Sequence, residues 1–221
     1  MEYQLRSYVM RPGRITKLQQ KSLETLTERY CLSYSETELD PTSLFTDTEE
    51  IILEIGFGMG TATAEIASAN PHCGYIGVEV FRAGVGKLLS EIEGRGLTNV
   101  RIIMHDAVEV VRSMLPDGEL DGAHIFFPDP WPKKRHHKRR LLQSPFVELL
   151  ASKLKPGGYL YAVTDWDDYA EQILRVFTDC TQLQNVYDGY ATPQAWRPQT
   201  KFERKGLTVD HSIHEIYFTK V

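Results

Sequence analysis

Strand-sized apolar stretches recur along this chain with helix-sized intervals between them. The first three, Ile51 to Ile55, Tyr75 to Val80 and Val100 to Met104, each carry an acidic residue at or just past the end: Glu54, Glu79 and Asp106. Such a recurrence is how a doubly wound α/β sheet reads in one dimension. Ala123 to Phe127 and Tyr159 to Thr164 continue the series, and the segments near Leu183 to Tyr187 and Ser212 to Phe218 suit a closing hairpin, which makes seven strands. Helices are expected at Thr61 to Ala69, stopped by Asn70-Pro71, and at Lys87 to Arg95. Two more should cover Ser144 to Leu154, opened by Ser144-Pro145 and closed before Gly157-Gly158, and Asp167 to Thr178. The predicted fold is a Rossmann-like α/β domain, a mostly parallel seven-stranded sheet with helices on both faces.

A chain of 221 residues is long enough for one sizeable core and short for two, so a single domain is expected, with a basic N-terminal arm and helix over 1–40 and the α/β body over 41–221. Hydrophobic residues at 42% and charged residues at 25% match a packed globular protein and exclude a disordered or collagenous chain. No apolar run approaches the ~20 residues that span a bilayer. Met1, Glu2, Tyr3 and Gln4 lack the basic-then-apolar profile of a signal peptide. Cys31, Cys73 and Cys180 are odd in number and without metal-ligand spacing, so neither a disulfide framework nor a metal site is expected, and a reducing cytoplasm fits. Monomer and homodimer are both compatible with this composition.

The net charge of −5 argues against a polyanionic partner only as an average. Between Trp131 and Arg140 lie Lys133, Lys134, Arg135, Lys138, Arg139 and Arg140, with His136 and His137 among them and no acid. Such a run is most often a solvated face, but beside a ligand cleft it can engage phosphates. Arg6, Arg11, Arg14, Lys17 and Lys21 form a second basic stretch, read equally well as an RNA-binding arm or a mobile terminus. His211 and His214 fall on opposite faces of a strand, which disfavours a metal, and Tyr159, Tyr161 and Tyr217 read as sheet residues.

Glu54 to Gly60 lies where the first strand gives way to its helix, and Gly56, Gly58 and Gly60 permit a tight turn at a helix start that offers free N–H groups. A dinucleotide fold prefers G-x-G-x-x-G so that a pyrophosphate can sit there; here the spacing is G-x-G-x-G. A carboxylate at Glu54 would repel a pyrophosphate and welcome an ammonium, which favours S-adenosylmethionine over NAD. Glu79 stands where ribose hydroxyls are expected, Asp106 can accept from the adenine amino group, and Ala107 can donate its backbone N–H to the ring. Taken singly, each carboxylate could be a solvated strand end; three in order behind a glycine turn point to a cofactor.

After the fourth strand comes Phe126-Phe127-Pro128-Asp129-Pro130-Trp131-Pro132, then the basic run. Three prolines in five residues fix the backbone around Asp129, and Trp131 offers a stacking surface for a flipped base. From Phe127 to Arg140 the chain resembles the bacterial tRNA guanine-N7 methyltransferases of the TrmB type, and Arg11 to Thr16, Thr164-Asp165 and Thr200 to Glu203 are similar too. The resemblance spans nearly the whole chain and implies a class I S-adenosylmethionine-dependent methyltransferase. It implies that Glu54, Glu79, Asp106 and Asp129 contact the cofactor, Asp129 being also catalytic. It further implies that Lys133, Asp165, Thr200, Lys201, Phe202 and Glu203 contact the substrate, and that Arg135, His136, His137, Lys138, Arg139 and Arg140 face RNA. The expected target is guanine 46 in the tRNA variable loop, with Asp129, Asp165 and Glu203 as acceptors for the guanine N1–H and amino edge. N7 methylation of another RNA guanine, and a non-catalytic RNA-binding protein of the same fold, are the alternatives.

Overall fold

Ile51, Ile52, Leu53 and Ile55 leave one strand with almost no polar face, as a strand covered on both sides requires. The computed structural model of the chain describes residues 6–9, 13–198, 203 and 212–221. In it α1 (Lys17–Tyr30) leads to β1 (Cys31–Leu32), β2 (Glu50–Ile55), α2 (Thr61–Ala69), β3 (Cys73–Val78), α3 (Arg82–Arg95), β4 (Val100–Ile103), α4 (Ala107–Ser113) and β5 (Leu120–Phe126). Then follow α5 (Ser144–Lys153), β6 (Leu154–Thr164), α6 (Asp167–Asp179), β7 (Leu183–Asn185) and β8 (His214–Lys220), with 3₁₀ turns at Pro41–Leu44 and Lys134–Arg139.

The strands form one sheet in the order β1-β4-β3-β2-β5-β6-β8-β7. Neighbours from β1 to β6 pair in parallel, and β8 runs antiparallel between β6 and β7. Among the described residues the sheet has eight strands, where seven were expected: Cys31 and Leu32 pair with Ile102 and Ile103, an edge strand of two residues that no periodicity could reveal. The chain winds outward from β2 through β3 to β4, then returns to place β5 on the other side of β2. In open α/β sheets that reversal opens a crevice at the carboxyl ends of the two strands.

Alternation along β2 divides the core. Ile51, Leu53 and Ile55 join the cluster that packs under α4, α5 and α6, including Val110, Phe146, Leu150 and Phe177. Ile52 joins Leu23 of α1, Ile66 of α2 and Leu88, Leu89 and Ile92 of α3 on the opposite face. Helix α1 starts at Lys17 because Thr16 caps it: the Gln19 N–H donates to the Thr16 hydroxyl (3.2 Å) and the Thr16 N–H to the Gln19 side-chain oxygen (2.8 Å). It packs so closely on α3 that a Cβ on Gly86 would lie 2.8 Å from the Gln19 carbonyl. Helix α3 begins five residues before the Lys87 expected from periodicity, since Gly84 and Gly86 dilute the helical pattern. Helix α4 was not read from the sequence at all. Among the described residues, no helix is long and apolar enough to cross a membrane.

Candidate active site and nucleic-acid interface

Strand β2 carries Glu54 as its penultimate residue and then breaks into the glycine turn. Gly56, Gly58 and Gly60 all take positive φ (76°, 57° and 67°), a region that glycine enters without a Cβ penalty. A Cβ on Gly56 or Gly58 would meet nothing within 4 Å, so backbone conformation and not crowding demands glycine there. The turn is braced from α3, where the Gly58 carbonyl oxygen occupies the space a Cβ on Gly84 would need.

Glu54 is 2% exposed, and its Oε2 has no hydrogen-bond partner among the described residues. Burial pushes its carboxyl up to about 7; Thr63 on α2 pulls it back, and the Glu79 carboxylate adds to the rise. Buried polar atoms are nearly always paired, so this oxygen marks a place for a cation or donor from outside the chain. Glu79, just past β3, accepts from the N–H of Gly58 (2.8 Å), Val80 (2.7 Å) and Phe81 (2.9 Å), which ties the glycine turn to the next strand end. Its own pKa is raised by burial against those three bonds, with Asp129 nearby adding to the rise. Asp106 caps α4, its Oδ1 accepting from the N–H of Val108 (2.8 Å) and Glu109 (3.3 Å). Beside it, Val80 and the exposed Met104 line a groove of about 1510 Å³ that runs towards Lys138 and Arg139. Tyr8 stands at this groove, its phenol pKa raised by burial and by the Asp106 carboxylate.

The loop after β5 leaves the sheet on a bond from the Phe127 N–H to the Val163 carbonyl (2.7 Å). Phe127 and Trp131 both hold positive φ (51° and 46°), a conformation that costs a bulky side chain and clusters at functional sites. Between them Asp129 is exposed, and Asp165 is half-buried beyond the end of the adjacent β6. Trp131 has the Arg139 guanidinium 4.3 Å over its ring and His136 edge-on at 5.9 Å, while its indole N–H donates to the Ser7 carbonyl (2.9 Å). Lys133, Lys134, Arg135 and Lys138 project into solvent from the 3₁₀ turn that follows.

Comparison with known proteins bears on this arrangement. A family model described as "Putative methyltransferase" matches residues 48–216. The tRNA (guanine-N(7)-)-methyltransferase of Bordetella pertussis strain Tohama I is 52% identical over 216 residues, covering 98% of this chain and 85% of that protein. This chain belongs to that family. The protein of the same name from Paracidovorax citrulli is 53% identical over 217 residues, covering 98% of this chain and 87% of its own. Among solved structures, the 16S rRNA methyltransferase KamB aligns with a TM-score of 0.60 at 14% identity over 81% of this chain and 91% of its own. The aminoglycoside resistance methyltransferase NpmB1 gives 0.57 at 16% identity over the same shares. At such identities the likeness is one of fold alone.

Two of the expected site residues are buried. Arg140, expected among the cations that face RNA, is 2% exposed and its guanidinium is spent on internal partners. Glu203, expected at the substrate, is 6% exposed and both its oxygens accept from Arg197 (2.7 and 3.0 Å). Arg197 also reaches Glu215 on β8 (2.6 Å) and the Tyr161 hydroxyl on β6 (3.0 Å), so Arg197 and Glu203 are tied to the sheet. Thr200, Lys201, Phe202, His211, Arg11 and Pro12 lie outside the described residues. Tyr161 is a core residue, Tyr159 donates to or accepts from the buried His124 (2.8 Å), and His214 pairs with Asp167 (2.7 Å). Thr63, Gly84, Tyr8 and Arg197 were missed; only Gly84 left a signal, as a glycine inside a helical stretch.

Proposed function

We propose that the protein transfers a methyl group from S-adenosylmethionine to N7 of guanine 46 in the variable loop of tRNA. The observation that carries this reading is one rim: Glu54, Glu79, Asp106 and Asp129 stand at the carboxyl ends of four strands, with the exposed basic 3₁₀ turn adjoining the last. The residues fit the methyl donor. Glu54's unpartnered buried oxygen suits the ammonium of an amino-acid moiety, and Glu79, oriented by three backbone donors, suits vicinal ribose hydroxyls. Asp106 holds the adenine amino group beside Ala107, and Val80 and Met104 offer the ring apolar surface. When bound, S-adenosylmethionine supplies an electrophilic methyl on a sulfonium.

Guanine N7 carries an in-plane lone pair and no proton, so the transfer needs no general base, and positioning supplies the rate. Asp129 and Asp165, on neighbouring strand ends, accept from the N1–H and amino edge and favour the cationic product. Lys133 adds a substrate contact, and Lys134, Arg135, His136, His137, Lys138 and Arg139 engage phosphates with little sequence discrimination of their own.

Incubating the protein with unmodified tRNA transcripts and labelled S-adenosylmethionine, then identifying the nucleoside by mass spectrometry, tests the proposal. The expected product is 7-methylguanosine, lost when the variable-loop guanine is replaced. Label at another nucleotide overturns the target; bound cofactor without labelled RNA overturns the activity.

A further inference from the structure

Arg140 ends the basic run and differs from every other cation in it. Its Nε donates to the Pro130 carbonyl (2.8 Å), one terminal nitrogen to the Gln172 side-chain oxygen (2.6 Å), and the other to Asp168 (2.5 Å) while lying 3.1 Å from the His137 ring nitrogen. The guanidinium also sits 4.8 Å over the ring of Tyr169. Gln172, Asp168 and Tyr169 all belong to α6, so Arg140 joins α6 to the loop that carries Asp129.

Several residues of that loop need bracing from side chains outside it. Pro128, Pro130 and Pro132 have no N–H to donate, and Phe127 and Trp131 sit in left-handed conformations that need support from outside. The Pro130 carbonyl belongs to the peptide that joins Pro130 to Trp131, one residue beyond Asp129, so the planar, always-charged Arg140 fork that grips it fixes that peptide and, through the rigid Pro130 ring, limits how the Asp129 backbone can turn. A guanidinium committed to three oxygens cannot reach a phosphate without leaving them unpaired.

We infer that Arg140 is a positioning residue for methyl transfer: it clamps the Asp129 loop to α6 and makes no contact with RNA. The inference rests on the reading of Asp129 as a residue of the reacting centre.

The test compares Arg140→Gln, Asp168→Asn, Arg139→Gln, Asp129→Asn and the Arg140→Gln/Asp129→Asn double variant in the full chain. Three quantities are read: turnover at saturating cofactor and tRNA per folded enzyme, thermal midpoint, and the slope of log Kd for tRNA against log salt. Arg140→Gln is expected to lower turnover by about tenfold with the salt slope of the wild type, whereas losing a phosphate contact at Arg139 lowers the slope by ~1. Asp168 is exposed, so Asp168→Asn is expected to fold, to lower turnover by about threefold, and to leave the slope unchanged. The double variant is expected to be no slower than Asp129→Asn alone, because groups acting as a unit are not additive. Full turnover in Arg140→Gln with a slope lower by about one would overturn the clamp and make Arg140 an RNA contact. So would tighter tRNA binding with a steeper slope in Asp168→Asn. A fallen thermal midpoint with intact turnover, or additive losses in the double variant, reduces Arg140 to a scaffold residue and also overturns it. Wild-type turnover in Asp129→Asn sinks the Asp129 assignment instead, a result that no Arg140 variant can produce.

Discussion

Glu54 sets ligand binding against stability within one side chain. Its carboxyl titrates at about 7 in the folded protein, above the ordinary carboxylate value, because burial disfavours the charge. The folded state therefore holds a proton that the unfolded state has released, so stability declines as pH rises from the ordinary carboxylate range towards 7 and then stays lowered. The deficit is on the order of 3 kcal/mol. Glu54→Gln, free of ligand, should thus melt higher than the wild type at pH 8 and at nearly the same temperature at pH 4, while S-adenosylmethionine affinity falls at least tenfold. Scanning calorimetry and titration calorimetry read the two effects; a lower melting temperature for Glu54→Gln at pH 8 would contradict the burial argument. For the wild type, cofactor affinity should weaken as pH drops from 8 to 6, because the ammonium needs the ionised carboxylate.

At the scale of elements, the glycine turn depends on a neighbour that helix propensity would exclude. Gly84 lies within α3, where alanine is ordinarily better by ~1 kcal/mol, yet the Gly58 carbonyl fills the space of its missing Cβ. Gly84→Ala should leave helix content in circular dichroism nearly unchanged and cut S-adenosylmethionine affinity by more than tenfold; a more stable variant with full affinity would mean that the contact is slack. The basic 3₁₀ turn makes the complementary prediction. Replacing Lys134, Arg135 and Lys138 together by glutamine should weaken tRNA binding and flatten its salt dependence, with cofactor affinity held, since these side chains point to solvent. The strand ends carrying Glu54 and Glu79 were legible because strand-sized apolar runs announce where a sheet stops. Helix α4 was not, because seven residues give too little periodicity to read.

For the molecule as a whole, Arg197 and Glu203 are held to the sheet through buried charge. Arg197 is 9% exposed, Glu203 6% and Glu215 3%, so removing the arginine takes the buried cation from between two carboxylates that lie away from water. Arg197→Met should cost about 3–5 kcal/mol, the penalty for breaking a buried ion pair from one side, read as a shift in the urea midpoint. An unchanged midpoint would show that these residues are held elsewhere. The same cluster closes Glu203 with an arginine, and the same kind of burial commits Arg140 to internal partners.

Order along the chain was enough to determine the alternating α/β layers, the carboxylate series Glu54, Glu79 and Asp106, and the glycine turn, because each depends on local spacing and on where an apolar run ends. Residue type alone also placed Asp129 in a stiff loop beside a basic segment. What each charged side chain does once it is there was decided by the tertiary structure. Arg139 and Arg140 are adjacent and chemically identical, yet one lies over Trp131 at the rim and the other is sealed under α6. Glu54 and Glu203 are both buried acids, yet one keeps an oxygen without a partner among the described residues and the other is closed by an arginine. Partners brought in by the fold settle whether a charge faces inward or outward: Asp168 and Gln172 of α6 for Arg140, and for Glu203 a nearby Arg197 that is itself held by Glu215 and Tyr161 on two strands of the sheet. No local pattern encodes where such partners will stand.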